Sequence, residues 1–349
     1  MSGDIGQAKT KGKNVMKSIS QLMRAIALVA ILGLLGSGGA LAQQKQTIRF
    51  GTAAIGGDYP VEMMSIFKEW VERSAPGQFD VQIHHSGTLV RQGTEIVALQ
   101  RNSVEMSILS WWDVADRIPE FNVLTAGYLF RDWKHVKAVM DGEIGKEYRA
   151  RIAKDLQVEI VDYYYAGARI VNLREARNVR TPDDLKGVKL RMPGSPSFLF
   201  LGKALGANPT PLPLPEVYLA LKTGTVDGQD NPVSTTYRAK FFEVTKQVVL
   251  TYHSIPANML AMSGAAWNKL DANQKAIFRD AARAAMQFND TNKFREDDDT
   301  LEKFKAAGLT VTTPDRDAFR THVLDMFKAS EFVKGAPEGW IQRINDTKG

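Results

Sequence analysis

Three short segments near the start of the chain alternate apolar and polar residues, and stretches with helical spacing separate them. Residues 47–51 and 79–85 have the period of two that is typical of half-buried strands. Residues 58–77 place apolar side chains at helical spacing and end in glycine, and residues 93–110 indicate a helix followed by another strand. The order strand, helix, strand, helix, strand predicts an open α/β sheet.

A second run of elements begins near Ala166 with the strand-like stretch GARIVNLR. A short helix follows over residues 181–187, with threonine as its cap, proline at its first position and glycine at its end. The stretch LKGVKLRMPGSP then alternates as a strand, places Lys189 and Arg191 on one face and stops at a Pro-Gly turn signal. Further helices are predicted after this turn, after Pro215 and around residues 240–246, followed by the strand VVLTYHS.

The last hundred residues are mostly helical in pattern, from Asp271 onward. The acidic run at residues 296–299 lacks the spaced ligands and the glycine of a calcium loop, so a solvated helix face is predicted there. No repeat or linker interrupts the chain, which indicates two α/β lobes that share crossing segments. The predicted division is a signal peptide at 1–42, a first lobe of 43–166 with about 255–295, and a second lobe of 167–254 with about 296–349.

The first 42 residues have the features of a secretory signal peptide. Five basic residues precede an apolar run at 25–35, and Ala40-Leu41-Ala42 has the small-x-small pattern of a cleavage site. Eleven apolar residues are fewer than the roughly 20 that span a bilayer. We therefore predict cleavage after Ala42 and a mature protein in the periplasm, without stable membrane insertion.

Composition narrows the classes of function. Cleavage would leave 40 basic and 38 acidic residues, a net charge of +2, and no basic stripe indicates a nucleic-acid partner. The absence of cysteine excludes disulfides, thiolate metal sites and lipoprotein attachment. No nucleophile elbow, phosphate loop, dinucleotide fingerprint or zinc-protease motif is present, and each of the five histidines is predicted to be structural. The sequence predicts no cofactor and no metal.

Three polar residues at the ends of predicted elements are candidates for binding an anion. Arg169 and Arg191 can form forked hydrogen bonds to a carboxylate, and Asn231 can add an amide. In open α/β sheets such side chains meet outside the carboxyl ends of strands. Each has an ordinary alternative: a surface charge or a structural ion pair for Arg191, a surface charge for Arg169 and turn chemistry for Asn231. For Trp111 and Trp112, core packing is expected of either ring, and the alternative is that one forms the wall of a ligand pocket while the other packs inward.

Several of these segments resemble the DctP family, the solute-binding proteins of tripartite ATP-independent periplasmic (TRAP) transporters. The stretches that carry the resemblance are DLKGVKLRMP, LGANPTPLPLPEVYLALKTGTVDGQDNP and KFFEVTKQVVLTYH, with looser similarity in SGTLV and EIVALQRNSVEMSIL. The resemblance implies an α/β, two-lobed periplasmic binding protein fold of type II-like form. Its lobes are joined by crossing strands and a long helix and close over an organic acid.

The resemblance also implies roles for individual residues. The arginine of the KLR strand, Arg191, matches the family's carboxylate anchor, Arg169 matches a second arginine, and Asn231 matches the asparagine of a DGQENP-type stretch. This chain departs from the common pattern at Leu214 and in the segment around Gln92. The complete predicted ligand-binding set is Arg191, Arg169, Asn231, Trp111, Ser110, Asp113, Gln92 and Leu214.

The predicted function is capture of a small carboxylate and its delivery to a TRAP permease made of a small and a large membrane subunit. An exported enzyme on the same scaffold is the alternative, and a sensor's extracytoplasmic partner is a third hypothesis. The sequence leaves the ligand open among C4-dicarboxylates, sugar acids, 2-oxo acids and aromatic acids.

Overall fold

Two β-sheets organise residues 45–349, the part of the chain that the computed structural model describes. The predicted signal peptide lies outside the described residues. The strands are β1 Gln46–Gly51, β2 Phe79–His84, β3 Met106–Ser110, β4 Val158–Tyr165, β5 Arg169–Leu173, β6 Lys189–Met192, β7 Asn208–Pro211, β8 Gly228–Pro232, β9 Gln247–Ser254, β10 Ala257–Ser263 and β11 Thr310–Thr312. The α-helices are α1 Tyr59–Ser74, α2 Glu95–Gln100, α3 Trp111–Ala115, α4 Trp133–Asp141, α5 Glu143–Arg151, α6 Pro196–Ala204, α7 Val217–Thr223, α8 Val233–Arg238, α9 Gly264–Trp267, α10 Ala272–Ala306, α11 Arg316–Lys328 and α12 Trp340–Asp346.

The first sheet has the strand order β2-β1-β3-β10-β4. Strands β1, β2 and β3 run parallel and are connected through helices, so the predicted β-α-β-α-β order is confirmed. Helix α1 begins where the Asp58 carboxylate accepts a hydrogen bond from the Tyr59 amide. It packs on the sheet through edge-to-face aromatic contacts of Phe67 with Phe50 and with Phe278 of α10.

The second sheet has the strand order β11-β9-β5-β8-β6-β7. Strand β8 is its centre, with β5 antiparallel on one side and β6 parallel on the other. The predicted helix that ends at Gly224 is confirmed as α7, and this glycine has a φ of 76° that favours glycine. The helix expected around residues 240–246 is only a 3₁₀ turn at Phe241–Val244.

Two short crossings and one long helix join the sheets. Strand β4 of the first sheet leads into β5 of the second through residues 166–168, and β9 returns to β10 through residues 255–256. Helix α10 has 35 residues, a length of about 50 Å, and packs against α1 and β4 as well as α8 and β11. The α/β, two-lobed architecture with crossing strands and a long helix is therefore confirmed.

The acidic run on α10 differs from its prediction at Glu296. This carboxylate accepts a hydrogen bond from Arg238 Nε at 2.9 Å, and its side chain is only 13% exposed. Arg238 also contacts Glu62 of α1 at 3.0 Å, so a predicted solvated position is instead part of the junction between elements of both sheets. The prediction failed because the partner arginine is 58 residues away in the chain.

The C-terminal helix α12 packs against elements that precede β4. Trp340 stacks on Phe121 with ring centroids 5.3 Å apart and donates to Glu147 at 2.8 Å.

The lobe boundaries proposed from the sequence stay a prediction. Within residues 45–349, no helix combines the length and the hydrophobicity of a bilayer-spanning segment.

Candidate functional site

A cavity of about 120 Å³ lies where the two sheets and α10 meet. It is lined from the first sheet by the loop after β1 and the end of β3, from the second sheet by β5 and β8, and from α10 by Lys293. The carboxyl ends of β6 and β8 and the start of β5 are brought together because Arg191 is paired with Gln229 and Arg169 with Pro232. Of the eight residues predicted to bind a ligand, six line this cavity: Arg169, Asn231, Ser110, Asp113, Gln92 and Leu214.

Arg169 is held in a buried ion pair with Asp230. Its Nε lies 2.7 Å from Oδ2 and its Nη2 lies 2.9 Å from Oδ1, the forked geometry that a guanidinium and a carboxylate favour. Burial alone would raise the pKa of Asp230, but Arg169 and the His253 ring outweigh it and hold that pKa well below its usual range. Arg169 is therefore a buried ion-pair partner of Asp230, and the surface-charge alternative considered for it is wrong.

His253 completes this network from β9. Burial lowers the pKa of the ring, although Asp230 opposes the shift, so the neutral form is favoured. Because the Asp230 carboxylate can only accept, Nε2 donates to it at 3.1 Å and Nδ1 accepts from the Thr251 hydroxyl at 2.8 Å. The ring thereby positions Asp230, which in turn positions Arg169.

Asn231 is fixed by neighbours rather than by a turn. It lies inside β8, and its Nδ2 donates to Gln229 Oε1 at 2.6 Å. Gln229 in turn donates to Asn172 and Thr236, so a buried chain of amides orients the Asn231 side chain. The turn chemistry expected for this residue is wrong, because the pairing of β8 with β5 extends to the proline after it.

Arg191 is fully buried behind the cavity wall and does not line the cavity itself. Its Nε donates to the Leu212 carbonyl at 2.7 Å and its Nη2 donates to Gln92 Oε1 at 3.1 Å. Its Nη1 has no hydrogen-bond partner within the described residues. Burial lowers the pKa of Arg191, partly opposed by Asp230 and reinforced by Arg169. The surface-charge alternative is wrong, and this cation has no carboxylate within ion-pair distance among residues 45–349.

Gln92 connects the two halves of the site. Its Oε1 accepts from Arg191 and also from the backbone amide of Leu214 at 2.8 Å. Gln92 precedes α2 beside the first sheet, whereas Arg191 and Leu214 belong to the second-sheet side. A neutral acceptor therefore occupies the position beside the unpaired guanidinium.

Ser110 and Asp113 form the cap of helix α3. The Asp113 carboxylate accepts from the backbone and the hydroxyl of Ser110, both at 2.7 Å. Of the two tryptophans that follow Ser110, Trp112 lines the cavity and stacks on Phe198 at 3.8 Å, whereas Trp111 packs inward against Phe130. The helical turn decides this, because consecutive residues point about 100° apart.

Sequence reasoning missed several residues of the cavity wall, among them Phe198, Glu95 and Lys293. Phe198 lies on the helix predicted after the Pro-Gly turn, and its ring lies 5.0 Å from the Arg169 guanidinium carbon. Glu95 is a buried acid at the start of α2, and Lys293 is a buried cation in the middle of α10. A lysine or a glutamate on a polar helix carries no local signal of burial, so only the packing of the helices identifies them.

Comparison with known proteins gives the family. The model for DctP, the bacterial extracellular solute-binding protein family 7, matches residues 50–332. A TRAP periplasmic solute-binding protein from Roseobacter denitrificans, solved with bound 3-deoxy-D-manno-oct-2-ulosonic acid, is 38% identical with a TM-score of 0.84, covering 87% of this chain and 100% of that chain.

Two further proteins are similar over most of their length. The sialic acid-binding periplasmic protein SiaP of Vibrio cholerae is 26% identical over 315 residues, 90% of this chain and 98% of that protein. A TRAP solute-binding protein from Sulfurospirillum deleyianum, solved with bound succinate, is 25% identical with a TM-score of 0.79, covering 86% of this chain and 99% of that chain. The chain therefore belongs to the DctP family, family 7 of the bacterial extracellular solute-binding proteins.

Proposed function

We propose that this protein captures a small organic acid in the cavity between its two sheets and delivers it to a TRAP permease. The observation that carries the proposal is the anion-binding potential at the carboxyl ends of β6 and β8. Arg169 and Asn231 line the cavity, and Arg191 lies behind them as a buried cation without a carboxylate partner among the described residues. The relatives solved with 3-deoxy-D-manno-oct-2-ulosonic acid and succinate support an acidic ligand.

The mechanism follows from the position of the cavity. A ligand that contacts both sheets binds the closed arrangement more tightly than an open one and therefore shifts the population towards closure. Exclusion of water strengthens the interaction of the ligand's carboxylate with the guanidinium groups. The ion pair of Arg169 with Asp230 keeps one donor group oriented before the ligand arrives.

A thermal-melting screen of purified protein, unfolded and refolded to remove bound ligand, tests the proposal. Binding at a hundredfold excess over Kd adds about 2.7 kcal/mol of stability, which raises Tm by about 4 °C for a protein of this size. The panel contains sugar acids, dicarboxylates, 2-oxo acids and aromatic acids. A shift with one class supports the proposal, and no shift with any carboxylate from a folded sample contradicts it.

We further propose that the protein has no catalytic activity and works in the periplasm with a small and a large permease subunit. The family consists of solute-binding proteins, and the buried Thr251, His253 and Asp230 do not line the cavity despite their triad-like order. Nuclear magnetic resonance of the bound acid after long incubation would reveal turnover.

Two measurements test export and transport. Mass spectrometry of the exported protein should give Gln43 as the first residue, and deletion of the gene should abolish uptake of the acid.

A further inference from the structure

The charged side chains that line the cavity are segregated by sign. Among the described residues, the acids are Asp58, Glu95 and Asp113, which cap or begin the three helices beside the first sheet. The cations are Arg169 on β5 and Lys293 on α10. The cavity thus has an acidic wall from the first-sheet side and a basic wall from the second sheet and the long helix.

The basic wall holds charge that protein carboxylates do not fully neutralise. Lys293 is 1% exposed, and its Nζ donates to the Ala166 carbonyl at 3.0 Å and the Ser234 hydroxyl at 3.2 Å. It forms no ion pair within 4.0 Å in the described part of the chain, and neither does Arg191 behind the wall. This side favours an anionic group of the ligand.

Glu95 and Asp113 of the acidic wall form no ion pair within 4.0 Å in the described part of the chain. Glu95 is 5% exposed and accepts from the Gly93 amide at 2.6 Å, and the Asp113 carboxylate accepts from the amide and the hydroxyl of Ser110. Burial raises the pKa of both groups, and the Asp113 charge raises that of Glu95 further. Another negative charge placed here would add to an existing repulsion.

The same wall contains an unused hydrogen-bond donor. Trp112 is 1% exposed and lines the cavity, and its Nε1 has no partner within the described residues. An indole N–H donates only, whereas a carboxylate only accepts. A ligand hydroxyl can satisfy both kinds of group, because it accepts from one and donates to the other.

We infer that Glu95 and Asp113 select a ligand with a single anionic group at one end and hydroxyl groups at the other, and that they discriminate against dicarboxylates. This inference rests on the proposed function and narrows its ligand class to polyhydroxy monocarboxylates. A hydroxyl fits either protonation state of these carboxyl groups, whereas a second ligand carboxylate fits only the protonated state. The negative side of the cavity therefore sets specificity, and the positive side supplies the attraction for an acid.

Calorimetry with acids matched in chain length tests the inference. The four-carbon set is erythronate, succinate and butyrate, and the six-carbon set is galactonate, adipate and hexanoate. Within the set of the fitting length, we expect the dicarboxylate and the hydroxyl-free acid each to bind at least about 100-fold more weakly than the polyhydroxy acid. Weaker binding of the dicarboxylate than of the hydroxyl-free monocarboxylate tests charge repulsion, and weaker binding of the hydroxyl-free monocarboxylate than of the polyhydroxy acid tests hydrogen bonding.

Isosteric variants assign the effect to the two residues. Glu95→Gln and Asp113→Asn should each narrow the preference for the polyhydroxy acid over the dicarboxylate by about tenfold. Glu69→Gln removes a charge from an exposed position of α1 and should leave the ratio unchanged. If a variant does not fold, the ratio of the wild-type affinities for the polyhydroxy acid and the dicarboxylate decides the inference.

Two outcomes separate the inference from the proposed function. Equal or tighter binding of the dicarboxylate by the wild type, or a ratio that neither variant changes, overturns the inference and leaves an acid-binding protein. Failure of all six acids, together with the wider panel of the melting screen, overturns the proposed function itself.

Discussion

Arg169 and Arg191 lie on strands that flank the same central strand β8, but in the described structure only Arg169 has a carboxylate partner. Arg169 is paired with Asp230 at 2.7 Å, and His253 supports that carboxylate from behind. Arg191 is also buried, but in the described structure it donates only to a backbone carbonyl and the neutral Gln92 amide, and its Nη1 has no partner there. One arginine is neutralised by the fold, and the other retains its charge.

This difference indicates two separate tasks. A buried charge with a complete set of partners contributes to a defined structure, and removal of either partner is costly. A buried charge without a counterion destabilises the protein alone but binds an anion strongly when one arrives. We therefore expect substitutions around Arg169 to affect folding first, and substitutions around Arg191 to affect ligand binding first.

The largest expected effect comes from removing the partner of Arg169. Asp230→Asn leaves Arg169 buried without a counterion and should lower the free energy of unfolding by about 3–5 kcal/mol. Urea denaturation monitored by circular dichroism measures this, with the exposed Asp183→Asn as a control. An unchanged free energy of unfolding would mean that Arg169 is compensated without Asp230.

Replacing each arginine by methionine separates the two tasks directly. Arg191→Met should weaken binding of the identified acid by about 2–5 kcal/mol and leave the free energy of unfolding of the ligand-free protein unchanged or increased. Arg169→Met should destabilise the ligand-free protein, because Asp230 is then buried without its cation. Calorimetry and urea denaturation of both variants check this, and equal effects of the two variants would remove the distinction.

A substitution at Gln92 should give Arg191 a carboxylate partner like the one that Arg169 has in Asp230. Gln92→Glu places a carboxylate beside the guanidinium and should weaken binding of the acid by about tenfold, or 1.4 kcal/mol, while it raises the Tm of the ligand-free protein. Gln287→Glu on the exposed face of α10 is the matched control. Unchanged affinity would show that Arg191 does not contribute to binding.

The smallest expected effect concerns Glu95, a buried acid that forms no ion pair within the described residues. Burial raises the pKa of Glu95 in the folded protein, so its contribution to stability is present at low pH and is lost as pH rises through the raised value. Glu95→Gln should therefore become more stable relative to the wild type as the pH rises from about 5 to about 8, because glutamine has no proton to lose. Urea denaturation at both pH values measures this difference, and Glu69→Gln should show none.

Local patterns predicted the elements that place the site, but not all of the contacts within it. Alternation around Arg191 predicted a strand, and turn residues predicted its end, because both depend on neighbours in the chain. The same alternation predicted that Arg191 lies on a polar face of the strand. In the structure Arg191 is fully buried, because β7 and the Gln92 loop cover it. Asn231 illustrates the same limit, since its neighbouring proline suggested a turn and the partner strand β5 made it part of a sheet.

The amino-acid sequence by itself determined the α/β class, the order of the elements and the candidate arginines and asparagine, since these follow from periodicity, turn residues and family motifs. Only the tertiary structure decided which arginine is neutralised, which tryptophan lines the cavity, and that Glu95 and Lys293 belong to its wall. The reason is physical: the charge state and exposure of a side chain depend on groups that the fold brings near, and those groups lie 61 residues apart for Arg169 and Asp230 and 99 apart for Arg191 and Gln92.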